Sequence, residues 1–545
     1  SKGKFQRQII QGLEAVQGPY RLDGSNNEPY IIILAGTERI YIDGQLMQRG
    51  QEFDYIIDYT SAELTFTSRH LITKDSRIVA EFQYADQNYA RSLMQHQTRF
   101  QNEHFTTWVA LYREQDLPNQ ALQQILSDSQ KQALSLIGDS LNAAFISGFD
   151  STTFLENANM YRKIDTLGFQ DVLVFSVDPQ AANYRGTFTD VGPGAGDYIL
   201  GGVSASGNFY KWVAPINGIS QGNYAPIRRV QTPKRNQLAS VGFEYKIHPN
   251  WKLYAENALS ENDLNLYSKL HDNDNIGLAS KTGLQYEKTR TLDSIKIRKA
   301  SSLEYLFVGK RFVPIEQFRA VEFDRDWNIR NQNYIGAQQQ IELKQLFTNS
   351  VKGQIQFAGQ LLHIDSLFSG QRFYTEGNWK EKAWTAKWDA SALNAKTPQT
   401  QNQFIRHRLH LNKQLGMFKL GWIDDHELNL FKGANQGNSY QFYDAQTYIA
   451  LQTSKKLDIK LFYRERYDWR PDNILALAAK AKTTGLELKW EPNSTQNLNV
   501  LLGARQLRIL DSMLIDQNAE NSMVARFDYN ARFFKNALTL NTFYE

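Results

Sequence analysis

The residues that first suggest chemistry are the glycines of "TDVGPGAGDYILGG", residues 189–202, where Gly192, Gly194 and Gly196 follow a strand-like run. A phosphate cradle needs more than glycine. A strand must feed the loop, and a helix must follow so that its free N–H groups face the anion. Here "YRGTFTDV" before the loop and "DYILGGVSASGNFYKWV" after it both alternate as strands. The Gly-x-Gly-x-Gly spacing is not the dinucleotide fingerprint, and no Lys-Ser or Lys-Thr pair follows. The loop is therefore predicted to be a corner between two strands, where glycine supplies the φ values of a turn or bulge. Its place beside "YKWVAPING" makes it a candidate protein-facing loop.

Other chemistry-bearing residues are weaker still. "HDNDNIG" opens like a calcium loop with Asp272, Asp274 and Gly277, but Ile276 stands at a ligand position and Gly283 where a bidentate Glu belongs. An Asn/Asp hairpin turn is expected, with calcium as the alternative. "IDDHELN" sets Asp424, Asp425, His426 and Glu427 in a row. Neighbours on a strand face opposite ways, so a solvated turn is expected there. His407 and His410, three apart on a predicted strand, cannot pair on zinc. Ser204 and Ser206 in "VSASG" lie in a β context without a nucleophile elbow. "VEFDRDWN" is read as a strand with Glu322, Asp324 and Asp326 on one face and Arg325 opposite. Three such carboxylates require cationic partners or water, so a salt-bridged wet face is expected, with a functional acidic site as the alternative. No catalytic, cofactor-binding or metal-ligating residue is assigned, and no enzymatic activity is expected.

Composition narrows the class. The 545 residues are 41% hydrophobic, enough for a large core, and carry 61 Lys+Arg against 57 Asp+Glu with no long like-charge block. That balance argues against nucleic acid as a partner. With no cysteine, disulfides and thiolate metal sites are excluded. The longest apolar runs, such as "YIIILAG", are too short for a spanning helix, and no signal peptide opens the sequence, so an exported chain would be in its processed form. Aromatics make up 12% of the chain, which favours strands and membrane interfaces.

The elements follow from periodicity. Residues 1–92 read as a small β-sandwich, with turns at Ala35-Gly36, Asp43-Gly44, Arg49-Gly50 and Tyr59-Thr60-Ser61. Its exit strand "SRIVAEFQYADQNYARS" puts Ile78, Ala80, Phe82 and Tyr84 on one face. A helical insertion is predicted at about 118–146, N-capped at Asn119 and divided at Gly138, from apolar residues that include Leu122, Ile125, Leu126, Leu134 and Ile137. The remainder of 93–545 reads as a long antiparallel β-meander, curled or barrel-like, established from about residue 165 onward. In "NQLASVGFEYKIHPNW", for example, Ala239, Val241, Phe243, Tyr245 and Ile247 share a face. The chain is expected to continue beyond Glu545, which falls inside an alternating strand. The fold class is mainly β.

Several blocks carry a resemblance: "QGLEAVQGPYRLDG" through "ADQNYARS", then "VGPGAGDYILGG", "YKWVAPINGISQGNYAP" and "VEFDRDWN". Over roughly residues 10–330 the chain resembles long β-rich envelope proteins of the Bacteroidota, a group that includes the Plug subunit of the type 9 secretion translocon. The resemblance implies a non-enzymatic subunit at the periplasmic face of the outer membrane, closing the mouth of a large translocon barrel as part of a protein–protein complex. It brings no cofactor and no site residues. The alternative is that the meander is itself an integral outer-membrane barrel acting as a channel or assembly component. The discriminating feature is mid-strand charge on the lipid face, where Lys or Arg costs about 2–4 kcal/mol at the midplane. "KLFYRERYDW" sets Lys460, Phe462, Arg464 and Arg466 against Leu461, Tyr463, Glu465 and Tyr467. "NQFIRHRLHLNK" sets Phe404, Arg406, Arg408 and His410 against Ile405, His407, Leu409 and Leu411. Neither face of the first strand is wholly apolar, which weighs against the membrane.

Overall fold

The computed structural model describes residues 3–544 except 14–15, 25–30, 52, 68, 70–71, 74–75, 86–88, 123–125, 157, 205–206, 317, 331, 333, 455, 472–474, 494, 511–520 and 534–537. The protein is mainly β. Its principal element is one long antiparallel sheet of eighteen strands. In chain order these are β1 (Tyr89–Gln101), β2 (Phe105–Ala121), β3 (Arg235–His248), β4 (Trp251–Asp263), β5 (Ile276–Leu292), β6 (Ile295–Val308), β7 (Gln338–Asn349), β8 (Gly353–Ile364) and β9 (Phe368–Glu381). There follow β10 (Trp384–Lys396), β11 (Thr400–Leu415), β12 (Phe418–Gly433), β13 (Tyr440–Ser454), β14 (Leu457–Arg470), β15 (Ala476–Asn493), β16 (Gln496–Ile509), β17 (Asn521–Phe533) and β18 (Leu538–Tyr544). Residue-by-residue ladders join each strand to the next from β1 through β18. The neighbour order is cyclic, as in a barrel, with β18 returning beside β1. Among the described residues no residue-by-residue ladder registers β18, of seven residues, against β1, of thirteen.

Because side chains alternate across a pleated sheet, the ladders fix which residues share a face. One row runs Leu303, Leu343, Gly359, Phe373, Ala392, Ile405, Leu428 across β6 to β12. The row beside it runs Glu304, Glu342, Gln360, Arg372, Leu393, Phe404, Asn429 and faces the other way. The first face is apolar yet exposed, with Leu343 at 60% and Phe373 at 65%. The second is predominantly polar and holds the inserted segment described below, so it is the inner one. Lys460, Arg464 and Arg466 belong to this inner face, as do Arg406, Arg408 and His410. The mid-strand cations of these two strands thus turn inward, away from the apolar surface.

The two rims differ. At one, tight turns such as Asp293-Ser294, both with positive φ, join consecutive strands. The other rim receives three additions: the residues before β1, the 122–234 insertion between β2 and β3, and the 309–337 segment between β6 and β7. The first addition consists of two small sheets, of five and three strands, over one core that includes Leu22, Ile40, Leu64, Ile78 and Phe82. Asp43-Gly44 forms its predicted hairpin turn with both φ positive. The exit strand ends at Ala85, and β1 begins only at Tyr89, inside the span first given to the module.

The insertion corrects the sequence reading. Asn119 is no helix cap, because residues 118–121 belong to β2. The helix α1 spans only Asp128–Ser135, capped by Ser127 in a reciprocal capping box with Gln130. Gly138, at φ +58, and a short turn at Leu141–Ala143 follow it. The helix-like spacing has another origin: Leu126, Leu134, Ala144, Ile146 and Val230 form a small core on the β stem. Ile125 lies outside the described residues. Beyond the helix the insertion is β, two four-stranded sheets around Tyr161, Leu173 and Tyr198 with flanking aromatics. The wall therefore begins well before residue 165 and is interrupted, rather than preceded, by this insertion.

Candidate functional site

The site is built by the 309–337 segment, which folds against the inner wall. Residues 321–328 were expected to form a strand with three acids on one face. They instead form a single helical turn, Phe323–Asp326, closed by Asp326 N–H to the Glu322 carbonyl at 2.7 Å and Trp327 N–H to the Phe323 carbonyl at 3.1 Å. A turn fans its side chains outward at roughly 100° per residue. The acids therefore diverge, and each finds its own cation.

Asp326 reaches the wall, where it pairs with Arg372 of β9 at 3.1 Å and with Arg406 of β11. Arg325 donates to Glu427 of β12 at 2.5 Å. The next residue, Trp327, is 1% exposed and sits in an inward apolar pocket of Leu362, Ile364, Phe368, Leu393 and Phe404. Burying an indole of this size contributes about 4–6 kcal/mol at most. Gly370 makes room for it, since a Cβ there would lie 3.0 Å from the Trp327 ring. Asn328, at φ +53, turns the chain and donates to Asn402 at 2.8 Å and Asn429 at 3.0 Å. A charge clamp, an apolar plug and an amide cluster on consecutive residues thus fasten the segment to β8 through β12.

The other side of the turn meets the N-terminal module. Asp324 accepts from Arg7 at 2.9 Å, and the same guanidinium donates to the Val321 carbonyl. Glu322 lies among Arg77 at 3.6 Å, Arg325 at 3.7 Å and Arg330 at 3.8 Å. Burial and the nearby Arg325 charge hold Arg77 below its ordinary value, against the pull of Asp43 and Glu322. For Arg325 burial also opposes the charge, but Glu427 and Glu322 outweigh it and the guanidinium stands above its ordinary value. The turn is therefore a three-way junction of module, segment and wall. Its ion pairs, apolar plug and amide cluster hold the three parts together. The expected salt bridging is present, on a turn rather than on a strand.

The remaining candidates fall elsewhere. "IDDHELN" is no turn but the middle of β12. Alternation sends Asp425 and Glu427 inward, to Arg408 and Arg325, while Asp424 and His426 face outward. There Asp424 meets His407 of β11 at 2.6 Å, and the two imidazole rings lie 5.3 Å apart. His410 turns inward to the Tyr448 hydroxyl at 2.8 Å. Asp272 and Asp274 sit in a short 3₁₀ turn. Gly277 lies in β5, where a Cβ would strike the Phe312 backbone at 2.2 Å. Among the described residues no three His, Asp or Glu side chains converge as metal ligands. In the glycine corner Gly192 and Gly194 have positive φ, and strand Tyr198–Ser204 follows instead of a helix. Ser204 donates to Asn159 at 2.5 Å, and Ser206 lies outside the described residues. Sequence reasoning did not single out Trp327, Arg372, Arg7 or Arg77, and took Arg406 only as a mid-strand cation. The available signal was the loop itself, since a connection this long inside a meander is usually functional.

Comparison with known proteins adds little beyond the fold. Residues 5–86, the N-terminal module, match a family described as a domain of unknown function, DUF8818. No curated protein matches the chain. Among solved structures, BauA, the ferric preacinetobactin receptor from Acinetobacter baumannii, is 9% identical with a TM-score of 0.30, covering 96% of this chain and 78% of that one. A BenF-like porin from Pseudomonas fluorescens Pf-5 is 10% identical with a TM-score of 0.24, covering 58% and 93%. A bacterial polysaccharide outer membrane secretin is 9% identical with a TM-score of 0.21, covering 55% and 91%. Likenesses this distant bear no functional weight.

Proposed function

We propose that the protein is an integral outer-membrane β-barrel, a non-enzymatic channel or transport component. Its passage is held narrow by the 309–337 segment and braced by the N-terminal module. The observation that carries this reading is the alternation of rows, apolar and exposed on the outer face, polar and occupied on the inner. A sheet in lipid must pair its backbone internally and turn its apolar side chains outward, and a cyclic strand order meets the first demand. The reading is preferred to a periplasmic-face subunit that closes the mouth of another protein's barrel, because a water-facing wall has no use for Leu343, Phe357 and Phe373 at its surface. Alkaline carbonate extraction of outer membranes tests it. The protein is expected to stay with the lipid and to shift in gel mobility on heating, as folded barrels do. Release into the soluble fraction would refute the membrane assignment.

A further inference from the structure

The outer face is not uniformly apolar: Lys288, Arg290 and Lys299 lie outward towards the turn rim of β5 and β6, and a larger polar group lies nearer mid-strand across β11 to β15. One outward row runs Leu409, Asp424, Ala445, Glu465, Lys482 across β11 to β15. The adjacent row runs His407, His426, Tyr443, Tyr467, Lys480. These residues stand near mid-strand: His407 is eighth of sixteen in β11, and Lys482 seventh of eighteen in β15. A lysine at such depth against lipid costs about 2–4 kcal/mol. The side chains of His407 and Lys482 remain 38% and 45% exposed. Oδ1 of Asp424 is buried without a hydrogen-bond partner among the described residues.

We propose that this patch is the interface through which two copies of the chain pair in the membrane. The inference rests on the barrel reading, which makes this face lipid-exposed in a single copy. Its charges are ordered along the wall. The β11–β12 end holds an acid with imidazoles, Asp424 beside His407. The β14–β15 end holds Lys480 and Lys482 against one acid, Glu465, which pairs with Lys482 at 3.6 Å. Between them, on β13, stands the small side chain of Ala445. A two-fold axis along the membrane normal and beside β13 sets the Asp424 end of each copy against the lysine end of the other. The patch is thereby self-complementary, and pairing removes its polar groups from lipid. A single-sign patch would repel its own copy.

The chain has no cysteine, so single-cysteine variants report cleanly. Ala445→Cys in outer membranes, treated with a short bismaleimide, is expected to give a species of twice the chain's mass. Leu343→Cys, on β7 away from the patch, should give none. Lys482→Glu should reduce the cross-linked product at least ten-fold, and adding Asp424→Lys to it should restore the product. Heat-shifted gel mobility confirms folding in every variant. A folded, membrane-bound Ala445→Cys protein that stays monomeric overturns the pairing, as does equal cross-linking through Leu343→Cys; monomers here would mean that lipid alone covers the patch. Loss of the protein from the membrane fraction would instead refute the barrel reading, so the two failures are distinguishable.

Discussion

Asp326 and Arg406 stand eighty residues apart in sequence and form an ion pair that ties the Phe323–Asp326 turn to β11. Arg372 shares the same carboxylate from β9, and all three side chains are largely buried. Asp326→Asn leaves two guanidiniums facing each other without the carboxylate they share. Breaking a buried pair from one side costs about 3–5 kcal/mol. The segment is expected to detach while the wall stays folded, seen as a higher single-channel conductance in planar bilayers.

Trp327→Ala empties the inner pocket formed with Leu362, Phe368 and Phe404. Truncating a buried tryptophan costs about 3–5 kcal/mol. The expected outcome is faster trypsin cleavage at Arg319, Arg325 and Arg330, with the gel mobility of the folded wall retained. Unchanged cleavage would mean that the ion pairs alone hold the turn.

Leu343 and Lys344 are neighbours on β7 that face opposite ways. In the barrel reading Leu343→Arg puts a cation against lipid near mid-strand, at about 2–4 kcal/mol. Lys344→Arg changes only the inner face. Outer-membrane yield should fall for the first and hold for the second. Equal yields would contradict the assigned faces.

Asp139, beside the stem of the insertion, has its carboxyl raised by burial and then by Asp263, Asp274 and Asp272. A raised acid binds its proton more readily in the folded state. Stability is therefore gained as pH falls through its folded value toward the ordinary carboxylate value, and is absent above that window. Asp139→Asn should stabilise the stem at neutral pH and flatten this dependence. Hydrogen exchange of α1 amides at pH 7 and pH 4 is the measurement.

In the glycine corner a Cβ at Gly196 would meet the Tyr224 carbonyl at 2.2 Å, whereas nothing lies within 4 Å at Gly192. Gly192→Ala should cost only the positive-φ penalty, about 1 kcal/mol. Gly196→Ala must move backbone. Thermal unfolding of the insertion should rank the two accordingly.

What was legible in the sequence is what depends on short-range pattern. The alternation of Val241, Phe243 and Tyr245, the Asp43-Gly44 turn and the buried stripe Ile78, Ala80, Phe82, Tyr84 are local properties, and the structure carries each. The α1 boundaries were missed because apolar spacing cannot separate a helix from an irregular segment packed on a stem, whereas the Ser127–Gln130 box could have. The acids of "VEFDRDWN" were read with the strand period, but Trp327 draws the chain into a turn, and its pocket is assembled from four strands distant in sequence. The inward course of Arg406 and Arg464 was beyond reach for a related reason: alternation shows that two faces differ, and only the neighbours gathered by the long-range ladders say which of them is the inner one.

The unequal rims carry a consequence for assembly. A barrel entering a bilayer must drag one rim across the hydrocarbon, where every unpaired polar group is expensive. Two-residue turns can make that crossing; the DUF8818-matching module and the long insertion, each with its own folded core, cannot. In the barrel reading the molecule thus has a leading edge and a trailing edge. Its orientation is then decided on entry, with the bulky modules left on the side from which the chain arrived.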